Sequence, residues 1–314
     1  MACSPFSCHF ADKIQFFVEL FLWWEEKVVP LPRNFSQRFF YKPKSTPDSN
    51  KMGNEDSAIK ELLDSMAPIT LEEMTGIKLM NRLDTKYVAS KAQLVQLLKL
   101  VQDKYYVQET LERRIIPYLT TYYDTDDHLM YMMHHNKRAR RMKVRVRTYV
   151  ASELTFLEVK NKNNHARTKK KRIEVPSQDD FRGVEGAHEL VQRKTGLDLD
   201  KLNAVVRNQF ERVTLVNKGK TERLTIDFNI GFHNFETEHD HGTDELVIIE
   251  LKRDGNVFSP VCNLLRDIHV HPTGFSKCCI GMALTDPALK QNNFKPKLRN
   301  LEKINGRRFI DHEL

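Results

Sequence analysis

The sequence has none of the short motifs with which many enzymes hold nucleotides or activate a serine: no G-x-x-x-x-G-K-[ST], no G-x-G-x-x-G and no G-x-S-x-G. Nucleotide handling, if present, uses other devices. Cysteine is scarce. The five present, Cys3, Cys8, Cys262, Cys278 and Cys279, form no C-x-x-C pair and no even framework. That argues against a secreted disulfide scaffold and for a reducing, intracellular setting. The adjacent Cys278 and Cys279 read as small apolar residues of a strand or helix. No apolar run is long enough to span a bilayer. Phe16 to Trp24 is interrupted by Glu19, ends at Glu25 and Glu26, and lacks the basic flank of a secretory signal. A surface-lying amphipathic helix there stays open. No internal repeat is evident.

Positive charge, by contrast, is concentrated. The 314 residues carry a formal net charge of +8, which points to an anionic partner. Between Lys137 and Arg172 there are fourteen Lys or Arg and two acids, so this segment holds +12 and the remainder −4. With 40% hydrophobic and 29% charged residues, the chain reads as a soluble globular protein of one large or two smaller domains. Pro30 to Asp56 is rich in Pro, Ser, Asn and Lys and reads as a linker or as disorder. Met52 and Met66 are alternative starts. The expected organisation is an extension over 1–66 that is poorly ordered or outside the working domain, a working domain over 67–289, and a polar tail over 290–314.

Within the working domain, Thr70 three residues before Glu73 predicts a capped helix start. Leu94, Leu97, Leu98 and Val101 recur at helical spacing after Ser90. Phe181 to Thr195 predicts a helix stopped at Gly196, and Pro260 to His269 predicts the last main helix. Period-two alternation predicts strands over 81–88, 118–124, 141–150, 154–162, 169–175, 206–216, 222–232 and 246–252. Gly219 is placed in a hairpin turn. Many meandering antiparallel strands with a few helices predict an α+β fold: a closed or nearly closed β-barrel with helices packed outside.

Strand parity then sorts the charges. In Lys143-Val-Arg145-Val-Arg147 the cations share one face and the valines the other. The same holds for Arg82-Leu-Asp84-Thr-Lys86, Glu158-Val-Lys160-Asn-Lys162, Lys170-Lys-Arg172 and Arg223-Leu-Thr225-Ile-Asp227. A solvated outer face ordinarily mixes both signs with Thr, Ser and Gln. Rows dominated by Arg and Lys fit an inward cationic tunnel for a linear phosphate chain, with Lys143, Lys162 and Arg172 among its substrate contacts. The interspersed Asp84, Glu158, Asp227 and Glu250 are counter-ions or hold a divalent metal. Counter-ion comes first for Glu158 and Asp227. Metal comes first for Glu250, because an unpaired carboxylate in the apolar strand Leu246-Val-Ile-Ile-Glu250 would be costly. His239-Asp-His241 and His269-Val-His271 have metal-pair spacing but no third ligand at suitable distance in sequence.

The ordered series Arg82-x-Asp84-x-Lys86-Tyr87, Tyr122-Tyr-Asp124-Thr125, Arg145-x-Arg147-x-Tyr149 and Phe156-Leu-Glu158-Val-Lys160-x-Lys162 resembles the VTC domain family of the triphosphate tunnel superfamily. Arg212, Glu222-Arg223-Leu-Thr225-Ile-Asp227, Glu250-x-Lys252 and Phe275-Ser276-Lys277 continue the match, which spans about 69–289. The resemblance implies an eight-stranded antiparallel tunnel. It implies a manganese- or magnesium-dependent polyphosphate polymerase that transfers the terminal phosphate of ATP to inorganic polyphosphate. It implies catalytic phosphate contacts by Lys86, Arg145, Arg147, Lys160, Arg212, Arg223 and Lys277. Lys170 and Ser276 would bind substrate, with Lys170 fixed only to within one or two residues, and Glu250 would bind the metal. Two departures bear on chemistry. Arg82 stands where hydrolytic superfamily members carry the first acid of Glu-x-Glu-x-Lys, and Phe210 stands where Tyr is expected. Tripolyphosphate or nucleoside-triphosphate hydrolysis, and a non-catalytic polyphosphate-binding module, are the alternatives. Nucleic acid is not expected as a partner, because the cations lack interleaved aromatic platforms. The expected setting is cytoplasmic, with membrane association through a separate partner or the N-terminal segment.

Overall fold

The computed structural model describes residues 49–75, 82–164, 168–255, 258–306 and 308. The apolar run Phe16–Trp24 and His165 lie outside the described residues. Where β-branched and aromatic residues alternate with charge, the chain extends into long strands: β1 (Pro68–Ile69), β2 (Arg82–Ser90), β3 (Tyr105–Gln108), β4 (Ile116–Asp124), β5 (Arg141–Tyr149), β6 (Leu154–Lys162) and β7 (Thr168–Val175). They continue with β8 (Asn203–Asn217), β9 (Glu222–Asn234), β10 (Asp240–Thr243) and β11 (Leu246–Asp254). Eight of them form one path in the order β2-β11-β9-β8-β4-β5-β6-β7. Every pairing along it is antiparallel.

This sheet curls. Lys86 on β2 and Lys143 on β5 stand five strands apart in the path, which in a flat sheet is about 24 Å. Yet Lys86 Nζ donates to Phe275 O at 3.2 Å and Lys143 Nζ to Ser276 Oγ at 2.6 Å. Two adjacent residues can serve both lysines only if the sheet wraps around them. Among the described residues, no ladder joins the edges β2 and β7. The tunnel is therefore curled rather than closed by hydrogen bonds.

Helices cover the outer face. Helix α1 (Ser49–Ser65) is followed by the short α2 (Leu71–Thr75), and α3 (Lys91–Val101) lies beside α1. Ser90 and Gln93 close a capping box at the start of α3, and Leu94, Leu97, Leu98 and Val101 are all buried. Ile59, Leu63 and Met66 join them over the outer residues Leu224, Ile226, Val247 and Ile249. Arg114 donates to the carbonyls of Leu63, Asp64 and Met66 at the end of α1. Residues 59–66, ahead of the boundary expected at 67, thus form part of this core. Helix α4 (Leu129–His135) follows β4, and Asp124 accepts from the amides of Thr125, Met130 and Tyr131 at its N-terminal end. Helix α5 (Ala187–Thr195) starts six residues later than predicted but ends at Gly196 in the left-handed conformation. Its Leu190 and Val191 cover Val144, Val146, Leu157 and Val159, the aliphatic faces of β5 and β6.

Helix α6 (Pro260–Asp267) is not the last. Two helices follow, α7 (Lys277–Thr285) and α8 (Lys295–Asn305). Helix α7 packs against Val88, Tyr122, Val206, Phe232 and Ile248, residues that share the inner parity of their strands, and so occupies one end of the curl. Gly281 permits this approach, since a Cβ there would lie 2.4 Å from Phe232 Cδ1. Helix α8 lies within the stretch expected to be a polar tail, and docks through Leu298 and Leu301, with Phe294 just ahead of it.

Candidate phosphate-binding tunnel

Residues directly opposite in a ladder share a face. Arg145 faces Tyr122 and Glu158, and Glu158 faces Arg172. Lys143 faces Lys160, and Lys160 faces Lys170. Arg147 faces Thr120, Thr120 faces Asn208, and Tyr118 faces Phe210. Further round, Arg212 faces Asp227, Arg223 faces Lys252, and Glu250 faces Lys86. Lys162 continues the row at the end of β6 opposite Arg141. All the expected strand-borne site residues therefore lie on one surface, opposite the aliphatic face covered by helices. Lys277 and Ser276 join it from the start of α7. Arg82 is paired with Asp254, which gives it the same parity.

Three carboxylates organise this surface. Glu158 is fully buried and accepts from Arg145 Nε at 2.7 Å, Arg145 Nη2 at 2.5 Å and Lys170 Nζ at 2.9 Å. Burial alone would raise its pKa, but Arg145, Arg147 and Lys170 together hold it well below the usual carboxylate range. Asp227 accepts from Arg212 at 2.6 and 2.7 Å and from Lys277. Its pKa is likewise depressed despite burial, by Arg212 and Lys277. Glu250 takes Lys252 Nζ at 2.6 Å on one oxygen and has Lys86 Nζ at 4.0 Å from the other. Burial opposes ionisation, but Lys252 and Lys86 bring its pKa to about 2. The sequence argument for metal at Glu250 assumed an unpaired carboxylate; two lysines supply partners.

Arg147 and Lys160 are different. Among the described residues neither makes an ion pair with a carboxylate. Arg147 is only 7% exposed and donates from Nε to Thr120 Oγ1 at 3.1 Å. The Lys160 pKa is lowered to about 5, first by Arg145 and then by burial and Arg147. Lys277 is lowered to about 7 by burial and Arg212 in spite of Asp227, and Lys252 to about 8 by burial in spite of Glu250. A surface that forces lysines toward neutrality calls for anions.

Aromatic rings also line it, contrary to expectation. Tyr118 and Phe210 stack with centroids 5.3 Å apart. The Arg212 guanidinium lies 4.9 Å from the Tyr118 ring, and Lys277 Nζ lies 4.2 Å from the Phe210 ring. Arg172 lies 4.2 Å over Phe156. The rings come from different strands, so no contiguous motif reveals them; the period-two parity of Tyr118, Thr120 and Tyr122 was the available signal. Phe210, where Tyr is expected, keeps the stacking but offers no hydroxyl.

The family comparison agrees with this geometry: the VTC domain matches residues 81–285, about two thirds of the chain. The chain belongs to the VTC domain family. The VTC match supports an activity directed at triphosphate or polyphosphate. No curated protein matches it by sequence. Among solved structures, an adenylyl cyclase-type protein from Hippeastrum, described as having dominant triphosphatase activity, is 13% identical with TM-score 0.42, over 65% of this chain and 96% of that one. A protein of Bacillus halodurans described as an adenylate cyclase is 12% identical with TM-score 0.43, over 63% and 96%. The RNA triphosphatase Pct1 of Schizosaccharomyces pombe is 9% identical with TM-score 0.25, over 88% and 99%. These likenesses are loose and decide nothing about chemistry.

Among the described residues, the groups of three candidate metal ligands are His128, Glu236, Asp286 and His188, Asp198, Asp200; neither includes a tunnel carboxylate. Neither of the two histidine pairs with metal-type spacing enters them, and His239 instead faces Thr285 O at 3.2 Å. At Glu250 a divalent cation would share the carboxylate with Lys252 on one oxygen and with Lys86, 4.0 Å from the other. No described helix is long and apolar enough to cross a membrane.

Proposed function

We propose that this VTC domain is a metal-dependent polyphosphate polymerase, transferring the terminal phosphate of ATP to a growing inorganic polyphosphate chain inside the tunnel. The observation that carries the reading is the state of the buried acids. Glu158 and Asp227 are each committed to two cations, which depress their pKa values and keep them ionised. They are therefore poor general bases for activating water. An already ionised phosphate terminus needs no base. It needs in-line positioning and cations to offset charge on the transferring group.

In this reading Arg147 and Lys160 receive the phosphates first, because no carboxylate among the described residues is paired with them. Arg145 and Arg212, held rigid by Glu158 and Asp227, present their remaining donors beside them. Lys86, Lys170, Arg172, Arg223, Lys277, Lys143, Lys162 and Ser276 continue the row. Glu250 would hold a Mn²⁺ or Mg²⁺ ion, which would supply positive charge to offset that on the transferring phosphate. Chain export would fall to a separate membrane partner.

Incubating the protein with ATP and Mn²⁺ and resolving the products on a gel tests this. Polyphosphate that lengthens with time, with ADP released, is the expected result. Orthophosphate and ADP alone would transfer the reading to hydrolysis, and binding without turnover to a non-catalytic module.

A further inference from the structure

The cationic surface does not end where the family match ends. Helix α8 begins ten residues beyond residue 285, and its Lys297 turns back toward the tunnel. Lys297 Nζ lies 3.6 Å from the position that a Cβ on Gly274 would take. Gly274 is flanked by Thr273, whose amide donates to Lys86 O at 2.7 Å, and by Phe275, whose carbonyl accepts from Lys86 Nζ. Next comes Ser276, which accepts from Lys143. Three ammonium groups, from β2, β5 and α8, thus converge on three consecutive residues at the start of α7.

Arg141, at the head of β5, stands opposite Lys162 and two residues from Lys143, and Lys137 lies in the turn before it. Burial and then the charges of Arg141, Lys137 and Lys86 lower the Lys297 pKa, against an opposing pull from Cys279. Among the described residues none of Lys137, Arg141 and Lys297 makes an ion pair. Like charges gathered with no carboxylate paired to them among the described residues repel one another, and an anion among them relieves that cost. Lacking a side chain, Gly274 leaves the space beside the Lys297 ammonium unfilled.

We propose that Lys297, with Lys137 and Arg141, forms a rim subsite that holds the phosphates of a polyphosphate chain where it emerges past the segment bound on Arg147 and Lys160. The inference rests on the reading of the tunnel as a phosphate-chain site. It makes α8 part of substrate recognition and assigns its lysine a role in discriminating long chains from short ones. Arg141 stands six residues from Arg147 along β5, about 20 Å, which a long chain spans and a tripolyphosphate seated at Arg147 does not.

The test is equilibrium binding of tripolyphosphate and of long-chain polyphosphate to the full chain, as wild type, Lys297→Glu, Lys297→Ala and Lys297→Arg, each over a salt series. Thermal melting serves as a folding control, since Lys297 is outside the apolar contact made by Leu298 and Leu301. Lys297→Ala should weaken long-chain binding about tenfold, the worth of one charge-assisted contact. It should also reduce the salt slope for the long chain by about one. Lys297→Glu should weaken it more, Lys297→Arg should restore it, and tripolyphosphate binding should stay within about twofold of wild type. Unchanged long-chain binding in Lys297→Glu overturns the rim subsite, as does an equal loss for both ligands. If the wild type binds neither ligand, the tunnel reading itself fails, and the rim with it.

Discussion

Arg145 donates Nε and Nη2 to a single oxygen of Glu158, at 2.7 and 2.5 Å, deep in the curl of the sheet. The other oxygen takes Lys170 at 2.9 Å. One fully buried carboxylate thus fixes two of the cations proposed to bind phosphate. Removing its charge leaves Arg145 buried with no carboxylate among the described residues to pair with, a change that costs about 3 kcal/mol. Glu158→Gln should melt well below wild type in the absence of ligand, and tripolyphosphate should restore more stability to the variant than to wild type. Thermal melting with and without tripolyphosphate measures both. A variant as stable as wild type, or one indifferent to the ligand, contradicts the role given to Glu158.

Arg147, two residues along the same strand face, should respond differently. Its charge has no carboxylate partner among the described residues. Replacing it by Ala removes a repulsive neighbour of Arg145 and Arg212 as well as an anion contact. Arg147→Ala should lower tripolyphosphate affinity about 10- to 100-fold, as expected for a charged hydrogen-bonding group, with a melting temperature close to wild type. Arg145→Ala should lower both. Calorimetry on the two variants separates the predictions; identical behaviour would refute the distinction between them.

The lysines predict a pH dependence. Lys160 and Lys277 sit at about 5 and about 7 in the free tunnel. A bound polyanion raises both toward the ordinary lysine value, so between the free and bound pKa each site takes up a proton on binding. Affinity should therefore fall as pH rises above about 5, where Lys160 takes up a proton on binding, and more steeply above about 7, where Lys277 joins it, by up to about tenfold per pH unit for each proton taken up. Below 5 both lysines are already charged and contribute no further gain. Calorimetric titration in buffers of different ionisation enthalpy measures the protons directly. Zero uptake at pH 8 would show that these lysines are charged before the ligand arrives.

Residues 59–66 are predicted to be indispensable to the fold. Ile59, Leu63 and Met66 are each 2% exposed or less and cover the outer face of β8, β9 and β11. Fully burying each such side chain contributes about 2 kcal/mol. A chain starting at residue 67 should be insoluble or lack a cooperative melting transition, whereas one starting at 49 should melt as a single unit. Circular dichroism on the two proteins decides it, and a well-folded chain from residue 67 would refute the assignment.

Much of this architecture was legible in the sequence because strand parity is a local property. Lys143-Val-Arg145-Val-Arg147 alone separates a cationic from an aliphatic face, and β5 and β6 follow the predicted bounds to within a residue. Partnership across strands was not legible. Arg145 and Arg147 are the same residue type on the same face, yet Arg145 stands opposite Glu158 and Arg147 opposite Phe156. Only the register between strands distinguishes a committed guanidinium from an available one. Helix α7 escaped for another reason. Cys278-Cys-Ile-Gly-Met-Ala283 is buried on every side, so it carries no amphipathic period. Phe294, Leu298 and Leu301 do have helical spacing, but the charged residues around them read as tail.

The most direct test of the tunnel as a phosphate-chain site is a crystal structure of the protein with tripolyphosphate. The account predicts a linear chain of density inside the curl, with phosphate oxygens on Arg147 and Lys160 and the Arg145–Glu158 and Arg212–Asp227 pairs intact. Phosphate bound only on the outer surface, or a tunnel in which Arg147 and Lys160 contact no phosphate, would contradict it.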